Sequence, residues 1–122
     1  MENSELFEKL GTLAFEAGEA GHVEAHKMWT DMAAALMKES LGQLLPLSKK
    51  EAAVPMLTGS PEQFYEIIKK QVSAMPRSKQ KETLDAIRQI INQYQTKGAL
   101  NVAMADALRA KTNQIEDELN AD

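Results

Sequence analysis

The sequence contains no cysteine, which excludes disulfide bonds and thiolate metal sites. It also has no glycine-rich phosphate-binding loop and no Gly-x-Ser-x-Gly nucleophile elbow. Aromatic residues make up only 5% of the 122 residues, so the core must be built mainly from aliphatic and Met side chains. Strand-forming residues never alternate with polar ones over a long run. These absences predict an all-α protein that binds rather than catalyses, with no cofactor and no catalytic residue.

The sequence also lacks the segments that direct a chain to a membrane or out of the cell. No apolar run approaches the roughly 18 residues that a membrane helix needs. The start of the chain, Met1–Glu5, is acidic where a secretory signal would be basic and then apolar. The composition is otherwise that of a globular domain, with 43% hydrophobic residues, 26% charged residues and a net charge of −4. We therefore expect one helical domain over residues 1–122, cytoplasmic and without a membrane contact.

Apolar residues recur at helical spacing in several stretches, which predicts a compact bundle of four to five helices. Two stretches fill residues 5–41 on either side of a glycine break, Gly18–Gly21, where each glycine costs a helix about 1 kcal/mol relative to Ala. One continuous helix over 5–41 would be about 55 Å long, more than a domain of this size spans. A helical hairpin is therefore favoured over a single rod. Residues 42–60 contain prolines and predict an irregular segment packed across one end of the bundle.

The later helices have recognisable ends. Ser60 and Gln63 form a capping box at the start of a third helix. Pro76 separates the third helix from the fourth, and Gly98 is expected to end the fourth. A fifth helix is predicted over 99–119, and its apolar stripe continues past a polar interruption. Because the core has few aromatic residues, this stripe is also predicted to support a homo-oligomer. Its members there are Leu108, Ile115 and Leu119.

In the first helix, Leu6, Leu10 and Leu13 define an apolar stripe, and Phe7 and Phe15 are expected to widen it.

Seven methionines and one tryptophan provide the main functional signal. Met side chains adapt to partner surfaces, and Trp is enriched at binding hot spots. The leading function hypothesis is therefore an adaptor or an inhibitor that regulates another protein by binding it through an apolar patch. The residues predicted to contribute are Trp29, Met32, Met56 and Leu57. The alternative is core packing, because Met and Trp at helical spacing usually face inward.

The run Ala25-x-x-x-Trp29-x-x-Met32-Ala33 resembles the second helix of a tetratricopeptide hairpin. The resemblance covers about one hairpin and has no second copy, so it implies shared hairpin packing and not membership of that family.

Charge is distributed unevenly along the chain. Residues 1–24 carry six Glu against one Lys, whereas residues 49–81 carry seven basic residues against three acidic ones. One interpretation places the acidic first helix beside the basic middle of the fold. The other is a nucleic-acid-associated regulator that contacts a polyanion through the basic turn 69–81. Its contact residues would be Lys69, Lys70, Arg77, Lys79 and Lys81.

The third function hypothesis is a metal-dependent helical enzyme. Glu19, His22 and His26 have spacings of three and four residues, which is compatible with one helical face. A hydrolytic zinc helix would place Glu directly after the first His, and Val23 stands there instead. The other interpretation of these three residues is a set of solvated polar side chains flanking a turn, so no metal is assigned.

Overall fold

The computed structural model describes residues 3–40, 60–98 and 100–121. Within those ranges the chain forms five α-helices and no strand. The helices are α1 (Asn3–Glu19), α2 (Val23–Ser40), α3 (Pro61–Ser73), α4 (Arg77–Thr96) and α5 (Val102–Asn120). The predicted all-α bundle is confirmed. The predicted irregular segment 42–60 lies, apart from Ser60, outside the described residues.

The glycine break ends α1 and turns the chain back into α2. Gly21 has a φ of 81°, a left-handed conformation that glycine adopts without a steric penalty. The His22 amide donates to the Ala17 carbonyl at 2.8 Å, and the Gly21 amide donates to the Gly18 carbonyl at 3.2 Å. This pair of bonds is a Schellman motif, which satisfies carbonyl groups at a helix C-terminus. The hairpin prediction is thus confirmed, and the alternative of a single rod is wrong.

Local side-chain caps start α3 and α5. Ser60 accepts a hydrogen bond from the Gln63 amide at 3.1 Å, while the Gln63 side chain accepts one from the Ser60 amide, so the predicted capping box is present. Gly98 follows α4 with a φ of 82°, as its sequence position indicates. The fifth helix begins at Val102 and not at residue 99, because the Asn101 side chain caps it by accepting from the Met104 amide at 2.8 Å.

The hairpin of α1 and α2 packs against a unit formed by α3, α4 and α5. Helix α5 contacts both α3 and α4, while α1 meets α4 and α2 meets α3. Buried side chains from all five helices form one hydrophobic cluster. The largest of them that are fully buried are Trp29, Tyr94, Leu6, Leu10, Met32, Leu36, Ile68, Leu84, Ile87, Ile90 and Ile91.

One buried polar chain links the two parts of the bundle. The Trp29 indole N–H donates to Gln71 Oε1 at 2.9 Å, and Gln71 Nε2 donates to the Leu13 carbonyl at 3.1 Å. Gln71 is only 2% exposed, so both bonds lie out of contact with water. Because a buried polar group without a partner is costly, these two hydrogen bonds fix the relative positions of α1, α2 and α3.

Candidate partner-binding face

The apolar patch predicted from Met and Trp does not lie on the surface. Trp29 and Met32 are both 0% exposed and belong to the core cluster. The core-packing alternative therefore describes these two side chains in the folded chain, because burying a large apolar side chain against other helices stabilises the fold more than exposing it. Met56 and Leu57, the other two residues of that patch, lie outside the described residues.

Among the described residues, two exposed aromatic side chains lie on α1, on the outer side of the hairpin. Phe15 is 66% exposed and Phe7 is 37% exposed, and they stand eight residues apart on one stripe of α1. Gly11 lies midway between them, and a Cβ built on it would meet no atom within 4 Å. The stripe therefore consists of two aromatic side chains with an open notch between them.

Helix α2 adds a methionine at the same edge of the hairpin. His26 Nδ1 lies 2.7 Å from the Ala14 carbonyl oxygen, which fixes these two residues at one level of the antiparallel pair. The His26 ring also lies against Gly18, so counting back along the antiparallel pair places Met37 within about one turn of Phe7. Met37 is 47% exposed. We call the surface formed by Phe7, Gly11, Phe15 and Met37 the outer hairpin face.

Two carboxylates of α1, Glu8 and Glu19, border this face. Neither forms an ion pair with a described residue, although Glu8 also lines the groove between α1 and α4. Glu8 and Glu19 lie seven residues before Phe15 and four residues after it, on the same side of α1. Glu19 is also in the last turn of α1, which contains no basic residue. A carboxylate there opposes the helix dipole, so its position is not explained by helix stability.

Charges on the other helices are mostly paired with each other. Arg88 lies 2.6 Å from Glu116 and 2.8 Å from Asp85, and Lys111 lies 3.1 Å from Glu62. The Arg88–Glu116 pair joins α4 to α5, and the Lys111–Glu62 pair joins α5 to α3. Glu66 and Asp117 are exposed carboxylates of α3 and α5 that also lack an ion pair with a described residue, so Glu8 and Glu19 share this property with a few other acidic groups.

Most of the basic residues predicted to contact a polyanion form ion pairs within the protein. Lys69 lies 2.8 Å from Glu118, Lys79 pairs with Glu16, and Lys81 lies 3.8 Å from both Asp85 and Glu116. Among the described residues, the two members of the set without an ion pair are Lys70 and Arg77, both of which are exposed. Since several phosphate contacts are needed for substantial nucleic-acid affinity, the basic turn offers little to a polyanion.

The Lys79–Glu16 pair also confirms that the acidic first helix lies beside the basic middle of the chain. Between α1 and α4 an open groove of about 810 Å³ is lined by both carboxylates and lysines, with Glu8, Glu16 and Lys79 among them. The groove has no single charge sign and therefore no clear ligand class.

Glu118 is the carboxylate most strongly perturbed by its surroundings. The hydrogen bond from Lys69 lowers its pKa to about 2, with further hydrogen bonds from the Tyr65 hydroxyl and from Gln114 acting in the same direction. The Lys69 and Lys111 ammonium groups each lie 5.5 Å from the centre of the Tyr65 ring. This cluster joins α3 to α5 and is structural in character.

The predicted metal-binding trio does not converge. Glu19 ends α1, His22 lies in the turn, and His26 belongs to α2. His26 Nδ1 bonds to a carbonyl oxygen, which only accepts, so that nitrogen carries a proton and is engaged in holding the hairpin. Among residues 3–40, 60–98 and 100–121, no group of three His, Asp or Glu side chains is arranged to hold a metal ion.

Self-association was predicted from an apolar stripe on helix 99–119, and that stripe is buried in the folded chain. Leu108 and Ile115 are fully buried, and Leu119 packs against the core. The polar interruption is accommodated because the buried Thr112 hydroxyl donates to the Leu108 carbonyl at 2.8 Å. This stripe faces inward and cannot serve as an interface in the folded chain.

Comparison with known proteins gives no match to a family model, to a curated protein or to a solved structure. Of the helices described, none has the length and apolar character needed to cross a bilayer.

Two residues of the outer hairpin face, Phe7 and Phe15, were expected from the sequence to widen the apolar stripe of the first helix. Phe15 was expected to widen the buried stripe, yet it stands two residues from both Leu13 and Ala17, which are buried. Two residues correspond to about 200° around a helix, which points Phe15 to the opposite side. That angular position is the sequence signal by which its exposure is recognised.

Proposed function

We propose that this protein is a non-enzymatic interaction module, an adaptor or an inhibitor, that binds another protein through the outer hairpin face. The observation that carries the proposal is the pair of exposed aromatic side chains on one stripe, separated by an open glycine position. Aromatic residues are enriched in the cores of protein interfaces, where they bury large area with few rotatable bonds.

The chain has few aromatic residues, which makes the exposure of two of its three phenylalanines informative. The described core is filled mainly by Leu, Ile, Ala and Met, and these two rings are the largest of the exposed hydrophobic side chains among the described residues. Exposed apolar residues that are clustered and rimmed by charge mark interaction sites more often than single scattered ones do.

A photo-crosslinking experiment tests the proposal. Benzoylphenylalanine replaces Phe15 in one variant and Val102 in another, and the full chain is irradiated in the cells that produce it. Val102 is a matched control because it is 63% exposed and lies at the start of α5, a helix that contributes nothing to the outer hairpin face. We expect a discrete protein adduct from position 15, absent from position 102 and reduced when Phe7→Ser is combined with the position-15 crosslinker.

Equal adducts from both positions, or none from position 15, would contradict the proposed function. A thermal melt by circular dichroism accompanies each variant. Because Phe15 is mostly exposed, its replacement should leave stability within about 0.5 kcal/mol of the wild-type value, so that loss of an adduct reports on binding.

A further inference from the structure

The geometry points to the partner element: we propose that the outer hairpin face binds a basic amphipathic α-helix of the partner protein. This inference rests on the proposed function and adds the chemistry of the segment that is recognised. Three features of α1 support this inference: its main-chain groups are hydrogen-bonded within the helix, Gly11 leaves a notch between two aromatic residues, and two of its carboxylates have no ion pair with a described residue.

A helix suits the face better than an extended strand. Between Phe7 and Phe15 the main-chain groups of α1 are engaged in helical hydrogen bonds, so the face presents no row of free amides and carbonyls. An extended peptide laid on it would lose solvation of its own backbone without gaining main-chain bonds. A helix satisfies its backbone internally and brings only side chains to the contact.

The notch at Gly11 has the dimensions of a helix–helix contact. Phe7 and Phe15 are about 12 Å apart along the α1 axis, two and a fraction turns, and they form the walls of an open position. Phe7, Gly11 and Phe15 belong to one i, i+4 row of α1, so the glycine leaves a gap in that row, and packed helices fit side chains of one into the spaces between side chains of the other. No described atom requires glycine at position 11, since a Cβ there meets nothing, so the fold itself would accept Ala.

The charge of the partner follows from the rim. Glu8 and Glu19 border Phe15 and have no cationic partner among the described residues, although most charges on α3 to α5 are paired. Glu19 in addition opposes the α1 dipole. Lysines or arginines flanking the apolar stripe of a partner helix would neutralise both. A second copy of this face would bring carboxylates against carboxylates, which disfavours a symmetric dimer here.

Peptide binding by the full chain tests this chemistry. The probe is a fluorescein-labelled helical peptide of about 18 residues, containing only Leu at helical spacing and Lys elsewhere, compared with a Leu/Glu peptide of the same pattern. Fluorescence anisotropy is measured in about 0.15 M salt. We expect the Leu/Lys peptide to bind with a Kd on the order of 10 μM and the Leu/Glu peptide at least about tenfold more weakly.

A pair of charge-matched variants shows where the basic peptide binds. Glu8→Lys/Glu19→Lys should weaken it at least about tenfold, whereas Glu66→Lys/Asp117→Lys should change the Kd by no more than about twofold. The second pair has the same change in net charge at exposed carboxylates of α3 and α5 that have no ion pair with a described residue. Equal losses in the two variants, or equal affinity for the two peptides, would overturn the basic-helix inference.

Filling the notch separates binding from folding. Gly11→Ala should stabilise the chain by about 0.5–1 kcal/mol, because Ala is the better helix former and meets no described atom. We expect the same variant to bind the Leu/Lys peptide roughly fivefold more weakly, since the notch is partly filled. Unchanged or tighter binding would refute the role of the notch.

The two proposals fail in different ways. A discrete adduct at position 15 together with no binding of the Leu/Lys peptide would leave the protein-binding function standing and remove the basic helix. Absence of the adduct would remove the function itself, whichever peptide bound.

Discussion

Gln71→Met removes both hydrogen bonds of the buried polar chain while keeping an unbranched side chain of similar length. The Trp29 indole N–H then lies buried without a partner, which costs about 1–3 kcal/mol, and packing of the new side chain offsets part of that cost. We expect a net loss of about 1–2 kcal/mol. For a chain of 122 residues this corresponds to a Tm lowered by roughly 4–8 °C.

Gln71→Met is combined with Trp29→Phe in a double-mutant cycle, and the unfolding free energy is measured in urea. Unfolding is followed by far-ultraviolet circular dichroism, because Trp29→Phe removes the only tryptophan and with it the tryptophan fluorescence. Trp29→Phe alone orphans the Gln71 carbonyl oxygen, whereas the double variant leaves neither group unsatisfied. The two losses should therefore be non-additive by about 1 kcal/mol or more, with the double variant more stable than their sum. Gln89→Met, the same change at an exposed position of α4, should shift stability by less than about 0.5 kcal/mol. Additive losses of stability, or a Gln71→Met variant as stable as the Gln89→Met control, would refute the structural role assigned to the Trp29–Gln71–Leu13 hydrogen bonds.

Two further perturbations follow from the described contacts. Glu118 has a pKa of about 2 in the folded chain against an ordinary 4.5, so its contribution to stability is fully present above about pH 4.5 and is lost as the pH falls through about 2. The difference in unfolding free energy between wild type and Glu118→Gln, measured by urea unfolding across this range, should therefore shrink towards acid. A difference that grows towards acid would contradict the ion pair. Gly21→Ala should destabilise the chain by about 1 kcal/mol because of the positive φ at that residue, and a thermal melt that shows no loss would contradict the Schellman turn.

The elements of the fold were predictable where the sequence carries local signals. The Ser60–Gln63 capping box, the Gly98 helix end and the glycine break of the hairpin all act within a few residues of themselves, and each is confirmed. The start of the fifth helix was misplaced by three residues, because Asn101 competes as a cap within a stretch of apolar and helix-forming residues.

The surface was harder to predict, because exposure depends on which helices cover which side. Trp29 looked like a hot spot, but its indole N–H finds a buried acceptor on Gln71, a residue 42 positions away in the sequence. No local pattern records such a pairing. The lysines of the basic turn were likewise neutralised by carboxylates far along the chain, Glu16 and Glu118 among them.

The order in which the helices pack has a consequence for how the chain reaches its native state. Helices α1 and α2 are neighbours in sequence and pack most extensively with each other, and α4 pairs with the adjacent α5. Contacts between sequence neighbours close short loops, which costs little chain entropy. Topologies dominated by such contacts have low contact order and fold in microseconds to milliseconds. The contacts of largest sequence separation join the α1–α2 hairpin to α3 and α4, so the step that limits the folding rate is expected to be the docking of this hairpin onto the α3–α5 unit.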